Sequence, residues 1–151
     1  MKEGIGGTFM IYVLLVFLAV YITFIAIAFN YARAFKVKNK VIDIIEQNEG
    51  MEEADFKNVS ATNTSGVTGL INEYLKTINY NVVLSKDDET NRGVCFEKGI
   101  CIDEYVGTSI HGMQNTYYKV TTFVTIEFPF MNLGITIPVK GETRKIERIT
   151  T

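Results

Sequence analysis

Few side chains in this 151-residue chain have the chemistry to act, and the thiols Cys95 and Cys101 come first among them. They flank Phe96-Glu97-Lys98-Gly99-Ile100, in which Lys98-Gly99 reads as a tight turn. A hairpin there brings the two Cβ atoms within reach of a disulfide. Disulfides persist in oxidising compartments, so the pair points outside the cytosol. The plainer alternative is two small buried thiols in an intracellular domain. Zinc is a poorer fit, because two thiols and a distant His111 fall short of four ligands and the spacing is not that of a zinc knuckle.

The remaining candidates lead to no reaction. His111 stands in His-Gly-Met-Gln-Asn and reads as a solvated loop residue. Asp103 and Glu104, like Asp87, Asp88 and Glu89, read as solvated turn charges, since nothing nearby supplies the apolar pocket that acid–base work needs. Gly4-Ile5-Gly6-Gly7 has the wrong context for a phosphate-cradling loop: no strand precedes it. There is no nucleophile elbow and no metal-ligand cluster. The expectation is a protein that is not an enzyme and takes no cofactor and no metal. Fifteen basic against 17 acidic residues, with no basic block, also argue against nucleic acid as a partner.

The elements that would carry these residues begin with an uncharged, proline-free run from Phe9 to Phe29. About 20 such residues are what an α-helix needs to cross the ~30 Å hydrocarbon core of a bilayer. Ala26-Ile27-Ala28 has the small-x-small look of a signal-peptide cleavage site. The run is nevertheless longer than the ~7–15 residues of a signal core, and its start offers only Lys2 beside Glu3. A retained anchor is expected. Its orientation draws on conflicting signals. Arg33, Lys36, Lys38 and Lys40 lie just past the span, and the positive-inside rule alone would place the domain beyond them in the cytoplasm. The cysteine pair argues for the exterior, and long domains cross with little regard to charge. The domain is assigned to the outside.

From Tyr31 to Asn48 the apolar positions Ala34, Val37, Val41, Ile44 and Ile45 recur at three- and four-residue steps, which is one helical face. Lys36, Lys40, Asp43, Glu46 and Gln47 take the other, and Gly50 is a plausible stop. Residues 9–48 would then form one rod of ~60 Å, either a plain stalk or a spine on which a small domain packs. Residues 50–66 read as a loop with two glycosylation-type triplets, at Asn58 and Asn63. Val67, Leu70, Ile71, Tyr74, Leu75 and Ile78 predict a second helix, with Thr64 or Ser65 as its cap.

Strands are expected thereafter: a short one at Tyr80–Leu84, the cysteine hairpin at Val94–Ile102, and a long one at Thr116–Phe130. In the last, Tyr118, Val120, Thr122, Val124, Ile126 and Phe128 share one face. Met131-Asn132-Leu133-Gly134 turns the chain back into Ile135, Ile137 and Val139, with Pro138 marking an edge strand. Gly141–Ile149 continues past a glycine bulge. The fold class is α+β. Its parts are a flank at 1–8, a transmembrane helix at 9–30, an amphipathic extension at 31–49 and an extracytoplasmic domain at 50–151.

Two stretches resemble the type IV pilin-like proteins, and among them the TadE-like proteins of bacterial tight-adherence pilus systems. One is Gly4-Ile5-Gly6-Gly7-Thr8 running directly into the span. The other is YKVTTFVTIEFPFMNLGITIPVKGETRKIE, from Tyr118 to Glu147. The resemblance covers both ends of the chain but not its middle. It implies a pilin-like spine with a carboxy-terminal sheet, and a minor subunit of a surface appendage or secretion machine. In such families a peptidase cuts after a glycine, and a glutamate five residues on pairs with a neighbour's new amino terminus. Here a cut after Gly4, Gly6 or Gly7 puts Phe9, Ile11 or Tyr12 at that place, so the usual pairing lacks its glutamate, and an uncut accessory subunit is the alternative. The resemblance implies as partners the lipid bilayer, pilin-like or secretion-system proteins met through the amino-terminal helix, and further copies of this chain. Leu14, Phe17, Tyr21, Ala34, Val37, Val41 and Ile44 are the candidate helix-packing residues. The competing reading is a single-pass protein whose outer β domain is a binding or adhesion module. A weaker one, favoured by the Arg33–Lys40 cluster, is a cytoplasmic membrane scaffold.

Overall fold

The computed structural model describes residues 3–57, 65–80, 82, 93–96, 99–108, 114–128 and 133–148. The expected turn charges at Asp87, Asp88 and Glu89, the triplet asparagines Asn58 and Asn63, His111 and half of the 131–134 turn lie outside them.

Apolar residues all round and then on one side make a single helix, α1 (Glu3–Gln47), 45 residues long, or about 68 Å at 1.5 Å per residue. It ends in a Schellman motif: the Gly50 N–H donates to the Ile45 carbonyl at 2.9 Å and the Glu49 N–H to the Glu46 carbonyl at 3.3 Å. Two short helices come next, α2 (Glu53–Lys57) and α3 (Gly66–Thr77). The sequence reads the α2 region as loop, because five residues are too few to show a helical period. Asp55 explains why the turn forms. Its carboxylate accepts the Glu52 N–H at 3.1 Å, and also the Thr68 N–H at 3.3 Å and the Thr68 hydroxyl at 2.9 Å. Asp55 therefore caps α3 from outside it, while Ser65 holds the N-cap position without a side-chain capping bond.

α3 closes as α1 does, with Asn79 in the left-handed region at φ 48° and the Tyr80 N–H on the Leu75 carbonyl at 3.1 Å. Tyr80 thus belongs to a helix cap, and of the expected strand at Tyr80–Leu84 neither it nor Val82 is in a strand, while Asn81, Val83 and Leu84 lie outside the described residues.

The described strands form one antiparallel sheet: β1 (Gly93–Phe96), β2 (Ile100–Thr108), β3 (Gln114–Phe128), β4 (Leu133–Glu142) and β5 (Ile146–Arg148). Its order is β1-β2-β3-β4, and β5 pairs with β3 beyond a break in the edge strand. At that break the Thr143 N–H donates to the Tyr118 carbonyl, and the Thr143 hydroxyl accepts the Tyr118 N–H, both at 2.9 Å. Pro138 lies on β4, an edge strand, where it costs no ladder bond.

The two main helices cover one face of this sheet. Val37, Val41, Ile44 and Ile45 of α1 and Val67, Ile71 and Leu75 of α3 meet Val94, Phe96, Ile100, Ile102, Tyr118 and Val120. These side chains come from even-numbered strand positions, as alternation requires. Tyr118 ties the layers together: its fully buried hydroxyl accepts the Met51 N–H at 3.0 Å and reaches Glu104 Oε1 at 3.3 Å. The fold is α+β, with a long apolar helix that continues into the core of the domain.

Candidate functional site

The two halves of α1 have opposite surroundings. Leu14, Phe17 and Tyr21 are 58%, 73% and 57% exposed, whereas Ala34, Val37 and Val41 are at most 1% exposed and Ile44 8%. The most apolar 18-residue window has a mean hydropathy of 2.8 and no residue buried within the chain. So long an apolar surface, turned outward on every side, is what lipid or another apolar helix covers. α1 is long and apolar enough to cross a membrane. Within the run the Thr23 hydroxyl donates to the Ala19 carbonyl at 2.9 Å, so that donor is satisfied inside the helix.

The seven candidate packing residues do not form one strip. At 100° per residue, the stripe of Leu14, Phe17 and Tyr21 is turned about half a revolution from that of Ala34, Val37, Val41 and Ile44. The upper stripe is used by the chain's own sheet: the Thr122 hydroxyl donates to the Ala34 carbonyl at 3.3 Å, and Ala34 packs with Val124, Ile126 and Val139. The lower stripe faces away from the sheet.

The residues just past the span bind the domain to it. Arg33 donates to the carbonyls of Ile78 and Asn79, at 2.5 and 3.1 Å, which places a cation at the C-terminus of α3. Lys38 is 7% exposed, its ammonium 4.2 Å from the centre of the Phe35 ring. Its stem runs beside Gly141, where an added Cβ would stand 2.8 Å from the lysine Cδ. Lys36 and Lys40 stay exposed. Nearby, the Tyr80 hydroxyl donates to the Phe123 carbonyl at 2.7 Å. Burial pushes this phenol up to about 12, against the pull of the Arg33 charge.

Cys95 and Cys101 form a disulfide between directly opposed residues of β1 and β2, their Cα atoms 4.1 Å apart. Gly99 makes the turn with φ +83° and its N–H on the Phe96 carbonyl at 3.0 Å. Both sulfurs lie on the face away from the helices, in a row with Thr121 and Lys140. The same face carries a stacked pair, Tyr105 and Tyr117, with ring centres 5.2 Å apart.

Asp103 and Glu104 are strand residues, not turn charges. Asp103 is 5% exposed and stands opposite Lys119, and Glu104 faces Tyr118. Residue type alone could not show this, because a charged residue in a strand and one in a turn look alike. Two open grooves lie among the described residues. One, of about 410 Å³, is lined by Asp43, Glu46, Arg144 and Lys145 and crossed by the Arg144–Glu46 ion pair at 3.3 Å. The other, of about 330 Å³, lies between α1 and α3 beside the exposed Leu70. Among the described residues no three His, Cys, Asp or Glu side chains are grouped to hold a metal. No protein-family model, no curated protein and no solved structure matches this chain.

Proposed function

We propose that this chain is a non-enzymatic, membrane-anchored, pilin-like subunit, similar to the TadE-like proteins, of a bacterial surface appendage or secretion machine. The observation that carries the reading is the division of α1. One helix is bare and apolar for its first half and forms the core of a sheet domain with its second. A domain held only by a flexible tether would gain nothing from such continuity. A rigid spine fixes the height and rotation of the domain above its anchor, as a subunit packed among other helices requires. The stripe of Leu14, Phe17 and Tyr21, turned away from the chain's own sheet, is the surface such neighbours would meet. The domain lies outside the cytoplasm, where the Cys95–Cys101 bond persists.

Photo-activatable side chains placed at positions 14, 17 and 21 in the producing cells test this. Crosslinks to other single-span proteins or to further copies of the chain are expected. Adducts to lipid alone, with the protein migrating only as a free monomer, refute it.

The Tyr105–Tyr117 stack favours a second reading, a single-pass binding or adhesion module, because Tyr105 is 39% exposed on the sheet face opposite α1 and α3. Such a module needs no helix assembly. Exchanging Leu14, Phe17 and Tyr21 for other large apolar residues would then leave function intact.

A further inference from the structure

The sheet does not end above the span; it overlaps it. β3 runs antiparallel to α1, with Tyr118 at the level of Met51, Thr122 at Ala34, and Val124 and Ile126 in the cluster that Ile27 joins. Ile27 is itself part of the uncharged run Phe9–Phe29. The rungs Val124↔Ile137 and Ile126↔Ile135, close to the end of the β3–β4 ladder, therefore stand beside the final turns of the apolar helix. Directly paired residues share a face, so Ile135 and Ile137 are on the same side as the buried Val124 and Ile126. Yet they are 43% and 40% exposed.

We propose that this end of the sheet is a second membrane contact, with Ile135 and Ile137 seated in the interfacial layer of the bilayer next to the span. The inference rests on the reading of α1 as a transmembrane helix. Lipid is the occupant because Val124 and Ile126, the partners of these isoleucines, pack with Ile27 inside the apolar run of α1, and Phe29 and Tyr31 of the same helix are 72% and 50% exposed. From Phe128 to Val139 the sequence carries no charge, and the acid just before it, Glu127, paired with Gly134, is compatible with an interfacial depth and not with the hydrocarbon core. Depth is limited by the backbone. β4 is an edge, and open sheet edges do not enter the hydrocarbon core. An interfacial seat about 5–10 Å deep is the compatible one. There the outward amides still meet water and headgroups while the isoleucines leave water. The domain would rest on the bilayer at two points, which fixes its tilt.

The chain has no tryptophan, so a single introduced indole is a clean probe. The full-length protein carrying Ile135→Trp, Ile137→Trp, Phe17→Trp or Tyr105→Trp is placed in phosphatidylcholine vesicles. Part of the lipid is brominated either high or low on its acyl chains. Ile135→Trp should be quenched best by bromines near the headgroup and show blue-shifted emission, with Ile137→Trp behaving alike. Phe17→Trp should be quenched by deeper bromines, and Tyr105→Trp by neither. If Ile135→Trp and Ile137→Trp both behave like Tyr105→Trp while Phe17→Trp is quenched, the span stands and this proposal fails. A blue shift without quenching at 135 and 137 means protein covers the patch and also overturns it. Loss of quenching at position 17 would remove the span and the proposal together.

Discussion

Replacing Ile45 by alanine tests whether the outer half of α1 is core or stalk. Ile45 is 0% exposed and packs where α1, α3 and the sheet converge. Three buried carbon groups at ~0.8 kcal/mol each are worth about 2.4 kcal/mol of transfer free energy. The cavity left behind raises the loss into the ~2–5 kcal/mol range seen for such truncations. For a domain of this size that lowers the midpoint of thermal unfolding by roughly 10 °C. Leu14→Ala is the matched control. It lies on the same helix 31 positions earlier, is 58% exposed, and should leave domain stability within about 0.5 kcal/mol. Both variants are to be unfolded with denaturant in detergent micelles, read by near-ultraviolet circular dichroism of the tyrosines. Equal effects would refute the argument, because they would mean that the domain folds without the helix that runs through it.

Other outcomes trace to single contacts. Serine at both Cys95 and Cys101 opens a loop of sequence separation 6 and should cost ~2 kcal/mol, with added reductant acting on the parent chain but not on the variant. Asp55→Ala removes the acceptor for the Glu52 N–H, the Thr68 N–H and the Thr68 hydroxyl, and should cost about 1–3 kcal/mol in chemical denaturation. Tyr80 keeps its proton more tightly folded than unfolded, so its contribution is complete below pH ~10 and lost as pH rises toward about 12. The stability difference between the parent and Tyr80→Phe should therefore shrink across that window; a constant difference would mean the phenol is not held as described. In intact cells a membrane-impermeant thiol reagent should label Cys95 and Cys101 only after external reduction, and labelling only after lysis would place the domain inside.

The parts of the fold visible in the sequence were those with a period or a fixed separation. α1 carries two patterns in tandem, apolar on every side and then on one, and each names its own surroundings. β3 alternates over enough residues for Tyr118, Val120 and Val124 to be assigned a common face. The cysteine hairpin needed only a turn-forming glycine between two thiols six apart. What escaped depends on contacts between distant segments. Asp55 caps a helix that begins eleven residues later, and no local signal marks an acid for that task. Lys38 looks like any exposed cation until β4 crosses above it at Gly141. The opposition of the Leu14 and Ala34 stripes needs only the spacing, since 20 residues is about five and a half helical turns, and grouping all seven residues as one packing face overlooks it.

The same contacts bear on which side of the membrane the domain occupies. The positive-inside argument treats Arg33, Lys36, Lys38 and Lys40 as four interchangeable charges near the end of the span. In the folded chain they differ. Arg33 terminates α3 through two carbonyls, and Lys38 is enclosed between Phe35 and β4. Each has a structural reason to be basic: a helix C-terminus attracts a cation, and a long stem ending in an ammonium can pack apolar methylenes while its head meets an aromatic face. Arg33 is exposed as well but engaged at the end of α3, which leaves Lys36 and Lys40 as the exposed charges without such a contact among the described residues. Two lysines beside a domain of this length are a weak topological signal, and the disulfide points the other way, toward an oxidising compartment. Arg33→Gln separates the two roles. It should loosen the junction of α3 with α1 and lower domain stability by about 0.3–1 kcal/mol through loss of the helix-terminal cation. The pattern of external thiol labelling should not change. A switch in labelling on that one substitution would mean that the charge directs insertion, and the case for an outside domain would then rest on the cysteines alone.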